Sequence, residues 1–205
     1  MRKLLIATTN PGKLREIRRI LAGAAVELLS LRDFPPVPEP EETGATFEEN
    51  ARLKALYYDS RIAAAASKDA GLDTVAEDSG LVIDALDGQP GVQSARFLGP
   101  EASYPERFDE IYRRLAAHPS APRSARFVAA VAVVRASAVV YETTGIVEGE
   151  IASTPRGDRG FGYDPIFFYP PYGTTLAEVT DEEKVAVAHR GKAFRQLADW
   201  LVNPL

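Results

Sequence analysis

At 205 residues the chain is long enough to bury a substantial core, as one large domain or as two small lobes. Its 45% hydrophobic and 26% charged residues exclude wholesale disorder, and a formal charge of -5 excludes the broad, sequence-independent nucleic-acid binding that needs a basic surface. With no Cys and two His, disulfides, a thiol nucleophile and Cys- or His-rich metal centres are excluded too, a composition that suits a reducing, cytoplasmic compartment. An anionic ligand would therefore have to be met locally, by a few Lys or Arg and a metal ion.

The apolar run at residues 4–7, behind Arg2 and Lys3, stops at Thr8-Thr9-Asn10-Pro11, too short for the apolar centre of a signal peptide. No run approaches the length of a membrane span. Residues 3–7 read as a buried strand, and Leu14, Ile17, Ile20 and Leu21 follow at helical spacing until Gly23. Between them, Thr8-Thr9-Asn10-Pro11-Gly12-Lys13 joins a strand to a helix start through a small polar loop. That arrangement aims backbone N–H groups and a positive dipole end at an anion, although the Walker pattern is missing.

Residues 26–31 predict a second strand. Pro35, Pro36, Pro38 and Pro40 then forbid regular structure in a loop carrying Glu39, Glu41 and Glu42. Thr46 and Glu49 form a capping box, and Phe47, Ala51, Ala55, Tyr58, Ile62 and Ala66 predict a long helix, about six turns, ending at Gly71. Since capping already occupies Glu49, Glu41 is the preferred metal-ligating carboxylate of this region, with Glu39 and Glu42 as substitutes. Residues 74–86 read as two apolar strand segments meeting at a polar bend, Glu77-Asp78-Ser79-Gly80. Such a bend offers metal ligands, a general base and a hydroxyl for phosphate within one small loop.

A turn at residues 87–91 is followed by a second capping box, Ser103 to Glu106 with Pro105 in the first turn. It opens a helix with core positions Phe108, Ile111, Tyr112 and Leu115. Residues 127–134 and 138–143 predict an antiparallel hairpin that residues 146–151 extend. In residues 155–168 glycines interleave with Arg156, Arg159, Phe161 and Tyr163, which suits close approach of flat rings to a planar ligand; the alternative is that both rings fold into the core. Thr180 and Glu183 cap a helical C-terminus with apolar positions Val185, Phe194, Leu197 and Leu201. A break is expected near Gly191, around which Lys184, His189, Arg190 and Lys192 gather.

In order and spacing these blocks resemble the Ham1-like inosine/xanthosine triphosphate pyrophosphatases, which remove deaminated purine nucleotides. Residues 8–13 look like that family's substrate loop, residues 41–51 with Lys54 like its second block, and Glu77-Asp78-Ser79-Gly80-Leu81 like its acidic block. Residues 90–96, Phe161-Gly162-Tyr163-Asp164-Pro165-Ile166-Phe167, and Lys184 with His189-Arg190-Gly191-Lys192-Ala193 are similar to the remaining blocks. The resemblance implies that Asp78 is the proton acceptor and, with Glu41, a Mg²⁺ ligand. It also implies that Thr8, Thr9, Asn10, Pro11, Gly12, Lys13, Lys54 and Ser79 hold the triphosphate, that Phe161 stacks on the base, and that Phe161, Gly162, Tyr163, Asp164, Lys184, His189 and Arg190 frame the nucleotide. Two positions depart from the pattern: Thr9 stands where the family has Gly, and Ala188 where it has Ser before His-Arg.

The expectation is a single α/β domain over residues 1–205, with a mixed, partly antiparallel sheet flanked by helices and two lobes around a central nucleotide cleft. The resemblance further implies a homodimer and hydrolysis of ITP, dITP and XTP to monophosphate and pyrophosphate, with neither nucleic acid nor membrane as partner. A non-catalytic purine-nucleotide-binding regulatory module is the alternative, and for such a sensor Asp78→Asn would change nothing.

Overall fold

A computed structural model of the protein describes residues 2–65 and 71–203. Its elements run β1 (Arg2–Ile6), α1 (Pro11–Ile20), β2 (Val26–Ser30), α2 (Phe47–Ala65), β3 (Leu72–Ile83), α3 (Tyr104–Ala116), β4 (Ser124–Arg135), β5 (Ala138–Ile151), β6 (Phe167–Tyr169), β7 (Thr174–Thr175), α4 (Asp181–Val187) and α5 (His189–Val202). The strands form one mixed sheet in the order β2-β1-β3-β4-β5-β6-β7, parallel where β1 pairs with β2 and β3, antiparallel where β6 pairs with β5 and β7.

The chain divides into two compact units, Met1–Asp78 with Ala129–Gly145 and Arg190–Leu205, and Ser79–Val128 with Ile146–His189. In the first, β1 sends its chain through α1 to β2 on one side, and β2 returns through α2 to β3 on the other. Right-handed crossovers in opposite directions place α1 and α2 on opposite faces of these parallel strands. The packing agrees. Leu4, Ile6 and Val75 join Ile17 and Leu21 of α1 and Phe194 and Leu197 of α5 in one core, whereas the Thr74 hydroxyl donates to Asp59 of α2, 3.2 Å away. The second unit packs Phe108, Ile111 and Leu115 of α3 against Leu81, Ile83, Phe127, Ile151 and Phe167.

Three local expectations need correction. The acidic stretch does not bend: β3 is one strand of 12 residues that runs straight through Asp78-Ser79-Gly80, and Gly80 is not among the positive-φ glycines. Pairing with neighbouring strands satisfies backbone groups that turn chemistry would otherwise claim, and local propensity loses to the sheet. The C-terminal break falls at Ala188, extended at φ -69° and ψ 158°, rather than near Gly191, which lies inside α5. The capping box of α2 is only half formed: the Glu49 amide donates to the Thr46 hydroxyl at 3.1 Å, but the Glu49 carboxylate takes the Ala45 N–H instead, at 2.6 Å. The expected continuation of α2 through Ala66 lies outside the described residues.

The boxes at Ser103/Glu106 and Thr180/Glu183 form in full. Residues 138–143 and 146–151 are one strand, β5, and the Ala136-Ser137 turn that joins it to β4 has φ 50° and 66°, the positive values of a two-residue hairpin turn.

Ala188 occupies the position before α5 where a hydroxyl would accept a helix N–H, and its methyl cannot. Ala188→Ser should stabilise the protein by about 1 kcal/mol, raising Tm by roughly 2–4 °C for a chain of this size; thermal unfolding followed by circular dichroism measures it.

Candidate active site

In the first unit the strand order reverses at β1, with β2 on one side and β3 on the other. Open α/β sheets bind ligands beyond the C-terminal ends of strands at such a reversal. β1 closes on β3 with the Ala7 N–H donating to the Val75 carbonyl at 2.8 Å, after which β3 runs on past β1 to Glu77 and Asp78. Both carboxylates therefore lie past the end of β1, where the chain turns through Thr8–Lys13 into α1.

That turn is self-capped. The Asn10 side-chain oxygen accepts the Gly12 and Lys13 N–H groups at 2.9 and 3.1 Å, and the Thr8 hydroxyl accepts the Asn10 N–H at 3.2 Å. Amides expected to face an anion are thus already partnered, and what the first turn of α1 contributes is the Lys13 ammonium, 3.7 Å from Glu77. Burial holds Lys13 below its ordinary lysine pKa, with Glu77 pulling the other way.

Asp78 faces α2. One of its oxygens accepts from the Lys54 ammonium at 2.8 Å and the other from the Asn50 amide at 3.2 Å. Lys54 also donates to Glu42 at 2.8 Å. Burial disfavours the Lys54 charge, but the two carboxylates outweigh it and raise its pKa. Lys54 is thus no solvated surface residue. Asn50 received no role from its residue type, yet it is fully buried, and its side-chain oxygen accepts the Gly44 N–H at 2.8 Å, tying the acidic loop to Asp78. Its signal lies in the spacing: Phe47, Asn50, Ala51, Lys54, Ala55 and Tyr58 share one helical stripe, and two polar residues on an otherwise buried face need buried partners. A methyl at Gly44 would come within 2.7 Å of that same oxygen, so this loop admits nothing larger.

Glu41 is exposed and makes no ion pair among the described residues, whereas Glu42 is engaged by Lys54. Among the described residues no group of three His, Cys, Asp or Glu is arranged to hold a metal ion. Asp78 and the loop glutamates carry hard carboxylate oxygens, the donor type that Mg²⁺ takes one or two of while completing its shell from water and phosphate.

The second unit carries the other sequence-predicted residues. Asp164 accepts the Phe161 N–H at 2.8 Å and the Lys184 ammonium at 2.6 Å, and the Lys184 and Asp164 side chains are each only 4% exposed. The same ammonium lies 4.5 Å from the centre of the Phe161 ring, a cation–π contact that fixes a half-buried aromatic face. Tyr163 has instead entered the core, edge-on to Tyr104 at 5.3 Å, with its hydroxyl donating to the Ser94 carbonyl at 2.9 Å. Burial raises its pKa well above that of a free phenol, and it stays protonated. Ser94, another residue that sequence reasoning left without a role, accepts the Leu81 N–H at 2.9 Å and thereby links β3 to the Tyr163 loop. His189 is buried and stacks on Phe127 at 4.8 Å, while Arg190, in the first unit, is bound by Glu16 and Glu77.

A strand reversal that combines an acid–lysine pair with a lysine-bearing helix start is the kind of place where doubly wound α/β proteins bind ligands. The Ham1 family model matches residues 4–200, and the chain belongs to that family. It is 46% identical to a dITP/XTP pyrophosphatase of Geobacter sulfurreducens over 201 residues, 98% of this chain and 97% of that one. A dITP/XTP pyrophosphatase of Geobacillus kaustophilus is 45% identical, over 96% of this chain and 93% of its own. Among solved structures, a HAM1 protein from Coxiella burnetii superposes with a TM-score of 0.85 at 40% identity, covering 98% and 99% of the two chains.

Gly160 has φ 71°, and a methyl there would fall 2.2 Å from the Asp164 carboxylate. Gly160→Ala should destabilise the protein by roughly 1–3 kcal/mol through its left-handed backbone, and should displace Asp164 from Lys184 and the Phe161 N–H. Thermal unfolding gives the first effect, and calorimetric titration with inosine monophosphate gives the second, as at least tenfold weaker binding.

Proposed function

We propose that this protein hydrolyses deaminated purine nucleoside triphosphates, ITP, dITP and XTP, to the monophosphate and pyrophosphate, keeping them out of DNA and RNA. The observation that carries the reading is the Lys54 ammonium placed 2.8 Å from both Asp78 and Glu42 at the strand reversal. A binding module has no use for a buried carboxylate held in this way; a hydrolase needs one beside water and phosphate. The names of the relatives, full-length matches at this identity, support the substrate class.

Asp78 orients the attacking water and accepts its proton, a role worth typically 10²–10⁴-fold. Asn50 and Lys54 fix its two oxygens, so that its lone pairs are aimed before substrate arrives. Lys13 and Lys54 set positive charge along the triphosphate, with Thr8 to Gly12 shaping the turn and Ser79 supplying a hydroxyl; phosphoryl chemistry rests on this positioning and electrostatics. Mg²⁺, held by Asp78 and Glu41, would neutralise charge developing on the phosphate oxygens. In the second unit, Phe161 presents a ring for base stacking, and Lys184, Asp164 and His189 supply polar groups for the 6-keto edge. A site paired to that edge leaves groups unsatisfied when an adenine 6-amino group enters.

The family resemblance supports a homodimer, which light scattering tests. No helix of the described residues is long and apolar enough to cross a membrane, and the absence of cysteine suits a cytoplasmic setting.

Pyrophosphate release should be fast from dITP and XTP, at least tenfold slower from ATP and GTP, and lost without Mg²⁺. Asp78→Asn should lower kcat by about 10²–10⁴-fold while inosine monophosphate still binds. Equal turnover of ATP and dITP contradicts the substrate assignment, and an unchanged rate in Asp78→Asn contradicts the role of Asp78.

A further inference from the structure

The two consecutive carboxylates of β3 that lie past the end of β1 point to opposite faces, as neighbouring strand residues must. Asp78 meets α2, and Glu77 meets α1 and α5. There the Arg190 guanidinium donates through Nε and Nη2 to the two Glu77 oxygens, both at 2.7 Å, and through Nη1 to Glu16. Arg190 and Glu77 are each 2% exposed and Glu16 is 17% exposed. Glu16 lies on α1, one turn beyond Lys13, so both side chains lie on the same helical face. The charges alternate in a row: Glu16, Arg190, Glu77, Lys13.

Glu77 treats its two cations unequally. Both of its oxygens are committed to Arg190 in a fork geometry that tolerates little movement, whereas Lys13 stands 3.7 Å away, beyond hydrogen-bond length. The ammonium is kept in place electrostatically and stays able to turn to a phosphate. We propose that Glu16 and Glu77 are positioning residues for the phosphate end of the site: Glu16 joins Arg190 to the helix that bears Lys13, and Glu77 fixes both cations without touching nucleotide. The inference rests on the reading above that Lys13 serves the triphosphate and that Arg190, as the family resemblance implies, frames the nucleotide.

The sign of one effect separates positioning from simple charge balance. Removing a carboxylate beside two cations strengthens anion binding if only electrostatics is at stake; it weakens binding if the carboxylate aims the cations. Inorganic pyrophosphate, titrated calorimetrically in Mg²⁺ buffer, reads this without turnover. Glu77→Gln should weaken pyrophosphate binding at least tenfold and lower kcat/KM for dITP at least thirtyfold, and Glu77→Asp should recover part of both. If Glu77→Gln fails to fold, Glu16→Gln carries the test at the more exposed end, with an expected threefold or greater weakening. Unchanged or tighter pyrophosphate binding in the folded variants overturns the proposal. A wild-type protein that binds pyrophosphate but turns over no deaminated triphosphate counts against the proposed function instead.

Discussion

The period-two alternation of β3, where it outruns β1, is the constraint on which the first unit depends. A bend at Asp78-Ser79-Gly80 would swing both acidic side chains toward the same solvent. A straight strand sends Glu77 to α1 and α5 and Asp78 to α2, and each then meets a different set of cations. A one-residue slip in register would exchange the two faces and put Asp78 in the arginine clamp, where its lone pairs would be consumed.

A protein of net charge -5 that handles a polyanion must concentrate positive charge where it counts. Here Lys13, Lys54 and Arg190 converge among Glu16, Glu42, Glu77 and Asp78. Without the carboxylates, three cations in a partly buried pocket would repel one another and pay a heavy desolvation cost. With them the cluster is stable before any ligand arrives, and an incoming phosphate can take over partners that already exist. The second unit repeats the device: the Asp164–Lys184 pair is satisfied internally and holds Phe161 beneath the ammonium.

Helix starts were readable in the sequence because capping is local chemistry. Ser103 and Thr180 each sit three residues before a glutamate and need nothing else, so their boxes form as written. What required three dimensions was hidden for physical reasons. The Asp-Ser-Gly triplet carries turn propensity, which pairing in the sheet overrides. Asn50 and Ser94 are polar residues of ordinary type whose roles depend on partners 28 and 13 residues away in sequence. Thr8 to Lys13 reads as an anion loop in the sequence, but that the Asn10 side chain accepts the Gly12 and Lys13 N–H groups shows only once the backbone is placed. The resemblance supplied the substrate class that geometry alone would have left open. It could not supply the pairing of Glu42 with Lys54, because neighbouring glutamates in a Pro-rich loop are equivalent until the backbone is placed.

Asp78 is proposed to direct water to the innermost phosphorus of the nucleotide. Hydrolysis of dITP in ¹⁸O-labelled water, with the products analysed by mass spectrometry, tests it most directly. The label is predicted to enter the nucleoside monophosphate and to be absent from pyrophosphate, since the oxygen added to the α-phosphorus stays with it when the α–β bridge breaks. Label recovered in pyrophosphate would mean attack at the β-phosphorus and would contradict the account.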